Sequence, residues 1–304
     1  MPVAALGRAC SDVAMQARGI LDDPPEGAPF SDEFEFGSGF GRCRGWCERR
    51  PTQLDERGLH DVLADIGRVS PETVLRDVPR RQTFVWPGDP SVIVKRFEGG
   101  AFVDAWHDVR HVGFARSPAR REAENLREMA LAGLPVPRAL GWCEEAPSVP
   151  LAADRRSAMW MERVEHRTTL REEGERDARA AVREWLVPLA DLLAKLHRLG
   201  WYHRDAYLEH WIVSGERIVL LDVGRARREG FPAQRWFVKD VAALAHSCPA
   251  GVSRRARLRF LARYLDARFV EDRRERRAFA RAVAAKARRI AAHAPRFVHA
   301  ARTA

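Results

Sequence analysis

The chain has 304 residues, 46% of them hydrophobic and 31% charged, with a net charge of +10. That composition excludes a chain disordered throughout and a disulfide scaffold, and the length carries one domain of two lobes or two small domains. No run approaches the ~20 apolar residues of a membrane-spanning helix, and Arg8, Ser11 and Asp12 interrupt the N-terminal stretch before a signal core forms, so a cytoplasmic protein is expected.

Residues 1–65 read as a partly disordered extension, with a turn-rich stretch from Asp22 to Pro29. Gly37-x-Gly39-x-Gly41 has the look of a phosphate loop, yet it lies 54 residues before Lys95 and reads as a flexible turn. Cys43 and Cys47 are the one close pair among five cysteines. Without a second pair of ligands they read as reduced thiols, not as a zinc site.

Residues 66–162 read as a small β-rich lobe. Its predicted strands are Thr73–Leu75, Thr83–Trp86, Ser91–Phe97 and Ala158–Val164, with Val92-Ile93-Val94 as a buried run. Ser117-Pro118 opens a helix through Leu131 that stops at Gly133. The period changes near Glu162, and residues 163–304 read as a large helical lobe. There Asp177–Leu199 forms a helix whose apolar face carries Trp185, Leu186, Leu189, Leu192, Leu193 and Leu196. A hairpin follows, from Trp211–Val213 through Ser214-Gly215-Glu216 to Ile218–Leu221. The fold class is therefore α+β, bilobal, with the β-rich lobe first.

Two features of charge stand out. Residues 253–304 hold 16 Lys and Arg against 4 Asp and Glu, so the basicity of the chain belongs to its tail. Such a surface suits an anionic membrane, whereas the absence of a recognition motif or of aromatic-basic interleaving argues against nucleic acid. Among 52 basic residues only Lys95, Lys195, Lys239 and Lys286 are lysines. Where arginine serves elsewhere, each lysine hints at a position that needs a compact ammonium.

The chemistry-bearing segment is His203-Arg204-Asp205-Ala206-Tyr207-Leu208-Glu209-His210, between the long helix and the hairpin. It has the outline of a kinase catalytic loop, in which the Asp accepts the proton of the acceptor hydroxyl and an Asn five residues later holds Mg²⁺. Here the fifth residue is His210, which can ligate a metal or orient a phosphate. After the hairpin, Asp222-Val223-Gly224 matches the position where a carboxylate bridges metal to the β- and γ-phosphates, 17 residues beyond Asp205. Upstream, Val92-Ile93-Val94-Lys95 matches the strand whose lysine holds the phosphates of ATP. Glu122 is its expected partner, with Glu124 open as the alternative. The hairpin that covers the nucleotide has no glycine, so Arg80 or Arg81 is expected to supply charge there. Glu162, at the lobe boundary, completes the expected nucleotide-binding set. The expected cofactors are ATP and Mg²⁺.

The segment from His203 to His210 resembles the pattern of the lipopolysaccharide core kinases, in which HRD is followed by Tyr and then by His at the fifth position. Asp222-Val223-Gly224-Arg225-Ala226 is similar to that family's D-x-x-R-A segment. Trp236–Leu244 resembles its helix start, in which Asp240 is the aspartate that buttresses the catalytic loop, and Arg259–Leu265 fits the helix that follows. The resemblance spans about residues 72–266. It implies a protein-kinase-like fold and transfer of the γ-phosphate of ATP to Kdo or heptose of the lipopolysaccharide core glycolipid, at the cytoplasmic face of the inner membrane. One departure is Gly224, where relatives often carry His. The short span between Asp222 and Asp240 leaves no room for a peptide-docking segment, which favours a non-protein acceptor. A nucleotide-binding pseudokinase scaffold and a kinase of a soluble small molecule are the competing readings.

Overall fold

The computed structural model describes residues 32–38, 41–48, 74–112, 114–145, 155–165, 168–228 and 234–292. Seven strands form the sheet of the N-lobe: β1 (Asp32–Ser38), β2 (Gly41–Cys47), β3 (Val74–Val78), β4 (Arg81–Val85), β5 (Val92–Glu98), β6 (Ala139–Glu145) and β7 (Arg156–Glu162). All are antiparallel, in the order β1-β2-β6-β7-β5-β4-β3. The sheet thus takes in two strands from the stretch read as an extension. Gly37 and Gly41 are ladder residues of β1 and β2, not part of a flexible turn, while Gly39 lies outside the described residues.

Strand β5 shows why the run from Val92 to Lys95 sits where it does. Successive side chains alternate between faces. Val92 and Val94 join Phe84, Leu140 and Trp160 in a cluster on one face, whereas Ile93 and Phe97 belong to the main core on the other. Lys95 shares the second face, so its stem lies among apolar groups and its head points toward the lobe junction.

Two helices follow β5, namely α1 (Phe102–Val112) and α2 (Pro118–Leu131). The sequence pattern predicts no helix at α1. On α2, the Ser117 hydroxyl accepts from the Arg120 amide and Pro118 occupies the first turn. Such a cap stabilises a helix by about 1 kcal/mol. The chain leaves through Gly133 at φ +69°, a left-handed turn that suits glycine.

The C-lobe holds β8 (Thr168–Thr169), α3 (Leu170–Arg176), α4 (Ala178–Arg198), β9 (Trp201–Tyr202), β10 (Trp211–Ser214), β11 (Arg217–Leu220), β12 (Arg227–Arg228), α5 (Gln234–Ser247), α6 (Arg254–Ala267) and α7 (Arg273–Ala292). Asp177 caps α4 by accepting from the Arg179 and Ala180 amides. The expected face of α4 is inside at Trp185, Leu189, Leu193 and Leu196. Lys195 on this helix donates to the Gly133 carbonyl at 2.6 Å, a direct tie between the lobes. Short ladders complete the frame: β10 pairs with β11 and β8, and β12 pairs with β9. The last pairing brings the strand before His203 beside the end of the Asp222 segment. Among the described residues no helix is long and apolar enough to cross a membrane.

Candidate active site

Between the lobes lies a cleft of about 1250 Å³, with Arg76, Arg81, Glu122, Asp205, His210 and Asp222 on its walls. Lys95 reaches it from β5 and makes an ion pair with Glu122 of α2. Both are buried, at 6% and 1% exposure, so each charge is tenable only because of the other. The same ammonium lies 3.7 Å from Oδ1 of Asp222. Glu124, the alternative partner, faces away and pairs with Arg116 and Arg120 at 3.0 and 2.7 Å.

Asp222 stands in the left-handed region, at φ 55° and ψ 53°, directly after β11. A non-glycine residue there costs of order 1–3 kcal/mol and persists only when its surroundings fix it. They do so here. Arg81 grips the carboxylate with both terminal nitrogens, at 3.2 and 3.4 Å, and Arg76 approaches to 3.9 Å. Burial pushes this carboxyl up, but Lys95, Arg81 and the histidines His210 and His203 outweigh it and hold the group far below the usual carboxylate range. From α2, the Asn125 amide donates to the Val223 and Ala226 carbonyls at 2.9 and 3.0 Å. Gly224 fits against the same helix: a Cβ there would stand 2.9 Å from Oε2 of Glu122. Glycine at this position leaves room for the buried carboxylate that partners Lys95.

The loop from His203 to His210 is hung on Asp240 of α5. This fully buried carboxylate accepts the His203 amide at 2.6 Å and the Arg204 amide at 2.8 Å, and His197 lies 3.3 Å away. Two backbone bonds to one carboxylate hold Arg204 at φ 73°, a conformation that L residues seldom adopt. His203 Nε2 is 3.0 Å from the Leu221 carbonyl, linking the loop to the residue before Asp222. Asp205 then faces the cleft. Arg225 donates to its Oδ2 at 2.7 Å, and Lys239 lies 3.5 Å from its Oδ1 while bonding the Arg204 carbonyl. Three of the four lysines therefore put a compact ammonium on a carboxylate or carbonyl.

His210 stacks near His203, with centroids 5.9 Å apart. Burial pushes its imidazole pKa down, against the pull of Asp222. It is a neutral ring at neutral pH, able to offer a nitrogen lone pair. Mg²⁺ prefers one or two carboxylates and phosphate oxygens, a donor set that Asp222 fits and His210 could only supplement. Among the described residues no group of three or more His, Cys, Asp or Glu side chains is arranged as a metal site.

Two expected residues do not join the others. Arg80 sits at the hairpin tip with φ 67°, and its guanidinium bonds the Glu98 carbonyl at 2.9 Å, so Arg81 alone of the pair reaches Asp222. Glu162 ends β7 outside the cleft wall and pairs with Arg138 at 3.6 Å, half exposed. Other residues escaped sequence reading. Asn125 gives no pattern signal, and neither does Asp104 of α1, which pairs with Arg227 and lies 3.6 Å from Arg204.

Comparison with known proteins places this arrangement. The family described as lipopolysaccharide kinase (Kdo/WaaP) matches residues 73–264. The lipopolysaccharide core heptose(I) kinase WaaP of Pseudomonas aeruginosa is 34% identical over 85 residues, which cover 25% of this chain and 32% of that protein. The matched part thus spans about a third of that relative. A solved structure, WaaP in complex with acyl carrier protein, superposes with a TM-score of 0.55 at 25% identity, over 72% of this chain and 88% of that one. The family match takes in both lobes and both aspartate segments, and on that ground the chain belongs to the lipopolysaccharide kinase (Kdo/WaaP) family.

Proposed function

We propose that this chain transfers the γ-phosphate of ATP to a hydroxyl of Kdo or heptose in the lipopolysaccharide core, working at the cytoplasmic face of the inner membrane. What supports the reading most is the meeting of Lys95, Glu122 and Asp222 at one wall of a cleft whose other wall carries Asp205. Lys95, steadied by Glu122, holds the phosphates of the nucleotide. Arg81 supplies charge where a glycine loop would offer backbone amides. Asp222, with His210 beside it, holds Mg²⁺, which neutralises charge on the phosphates when bound. Asp205 orients the acceptor hydroxyl and takes its proton as the bond to phosphorus forms.

The family name and the P. aeruginosa relative favour a core sugar as acceptor. The WaaP structure was solved in complex with acyl carrier protein, and a protein of that kind is a second candidate partner for this chain. An apolar pocket of about 320 Å³ in the C-lobe, lined by Leu170, Trp185, Leu189, Leu244 and Leu261, offers an acyl chain a place to lie. The strongly basic C-terminal region suits an anionic membrane surface.

The test is transfer of label from γ-labelled ATP to core oligosaccharide stripped of its phosphates. Wild type transfers label with Mg²⁺ present, and Asp205→Ala does not. Nucleotide binding without transfer to any sugar would favour a scaffold. Transfer only to soluble small molecules would favour a different acceptor class.

A further inference from the structure

The carboxylate of Asp205 is held from two sides by cations that differ in mobility. Lys239 is inside, 18% exposed, with its ammonium also on the Arg204 carbonyl. Arg225 is outside, 55% exposed, with one nitrogen 2.7 Å from Oδ2. A guanidinium so open to solvent moves at little cost, because exposed ion pairs contribute little. While it stays, it covers Oδ2 of a residue that lines the cleft.

The surroundings have more positive than negative charge. Arg204, Arg225, Arg227 and Lys239 gather around Asp104 and Asp205, and a further carboxylate, Asp240, is taken up by loop amides. Burial, followed by Arg225 and Arg227, works against the charged form of Arg204, and burial works against that of Lys239 while Asp205 favours it. Like charges packed at a cleft wall attract an anion. The nucleotide phosphates have cations of their own in Lys95 and Arg81, on the wall formed by β4 and β5.

Resting on the kinase reading above, we propose that Arg225 selects for an anionic acceptor: a carboxylate or phosphate near the reacting hydroxyl draws the guanidinium from Asp205 and frees Oδ2. The freed oxygen takes the hydroxyl proton, the hydroxyl oxygen bonds to the γ-phosphorus, the bond from that phosphorus to the β,γ-bridging oxygen breaks, and ADP leaves. A neutral acceptor leaves Arg225 in place, and Asp205 stays covered.

The experiment pairs each acceptor with its charge variant: free Kdo against Kdo methyl ester, and heptose 7-phosphate against heptose. Wild type should favour the anionic member by about 10- to 100-fold in kcat/KM, the usual weight of a charge-assisted hydrogen bond. The carboxylate and phosphate arms show which anion is read. Arg225→Gln should erase the preference, chiefly through the KM of the anionic acceptor and not that of ATP, and Arg225→Lys should restore part of it. Unfolding midpoints of the variants, expected to match wild type because the side chain is mostly exposed, rule out misfolding. The proposal is overturned if wild type shows no preference, if Arg225→Gln keeps it, or if the loss falls on the KM of ATP. Absence of transfer to any of the four sugars would sink the kinase reading as well, whereas transfer blind to acceptor charge would sink this inference alone.

Discussion

The two walls of the cleft are built differently. On the Lys95 wall the ion pairs are set: the buried ammonium with buried Glu122, the partly buried Asp222 with Arg81, and the Asp222 segment with Asn125. On the Asp205 wall the backbone is fixed by Asp240, but the side chain facing the cleft is gripped by an exposed arginine. Geometry for a constant ligand can be set in advance. A wall that receives a varied or bulky acceptor keeps its final contacts adjustable.

This contrast predicts that substitutions on the two walls fail in different ways. Asp205→Asn should lower kcat by about 10²- to 10⁴-fold, the usual weight of a general base, while the urea midpoint hardly changes. A loss of stability matching that of a Lys95-wall variant would break the comparison. Glu122→Gln removes one partner of a buried pair and should cost about 3–5 kcal/mol in urea unfolding, with activity lost too. Gly224→Ala places a methyl group against Oε2 of Glu122 and should cost about 1–3 kcal/mol. Combined with Glu122→Ala, that cost should largely vanish, and a strictly additive double variant would show that the contact is not what fixes glycine there. Asn125→Ala takes a donor from the Ala226 carbonyl and one of two from the Val223 carbonyl, which keeps the Ala226 amide, and should cost about 1–3 kcal/mol.

The smallest effect concerns pH. Burial lowers the pKa of His197 and His210 in the folded protein. Below the ordinary histidine range the unfolded chain takes up protons that the folded one refuses. Stability should therefore be full above about pH 7 and fall as pH drops through about 6.5, with a slope no steeper than about 1.4 kcal/mol per pH unit for each histidine. A urea series from pH 7.5 to 5 checks this, and a flat profile would contradict the burial of these rings.

The order of the chemical segments was legible because each carries a residue type that chemistry demands at a fixed spacing. Lys95, Asp205 and Asp222 stood out for that reason, whereas Asp240 was legible only through the family resemblance. Helix α1 was not legible, and its burial explains why. Its inward positions are Ala105 and Asp108, a small residue and a carboxylate buried with Arg121, whereas Phe102, Val103 and Trp106 point outward. A helix whose large apolar residues face solvent has no readable amphipathic stripe. Strand β1 did carry a signal, the alternation Glu33-Phe34-Glu35-Phe36, which the nearby glycines obscured. Arg80 and Arg81 were indistinguishable as letters. Only the hairpin register, with Arg81 opposite Phe97 and Arg80 at the tip, separates them.

The joint between α2 and the segment from Val223 to Ala226 has a consequence for inhibitor design. A ligand that wedged α2 outward to open a chamber behind it would tear both Asn125 amide bonds and strand the Glu122 carboxylate without its ammonium. Compounds that bind tightly here should instead occupy the front of the cleft, where Arg76 and Arg225 present cations to solvent, and acidic chemotypes should lead any screen.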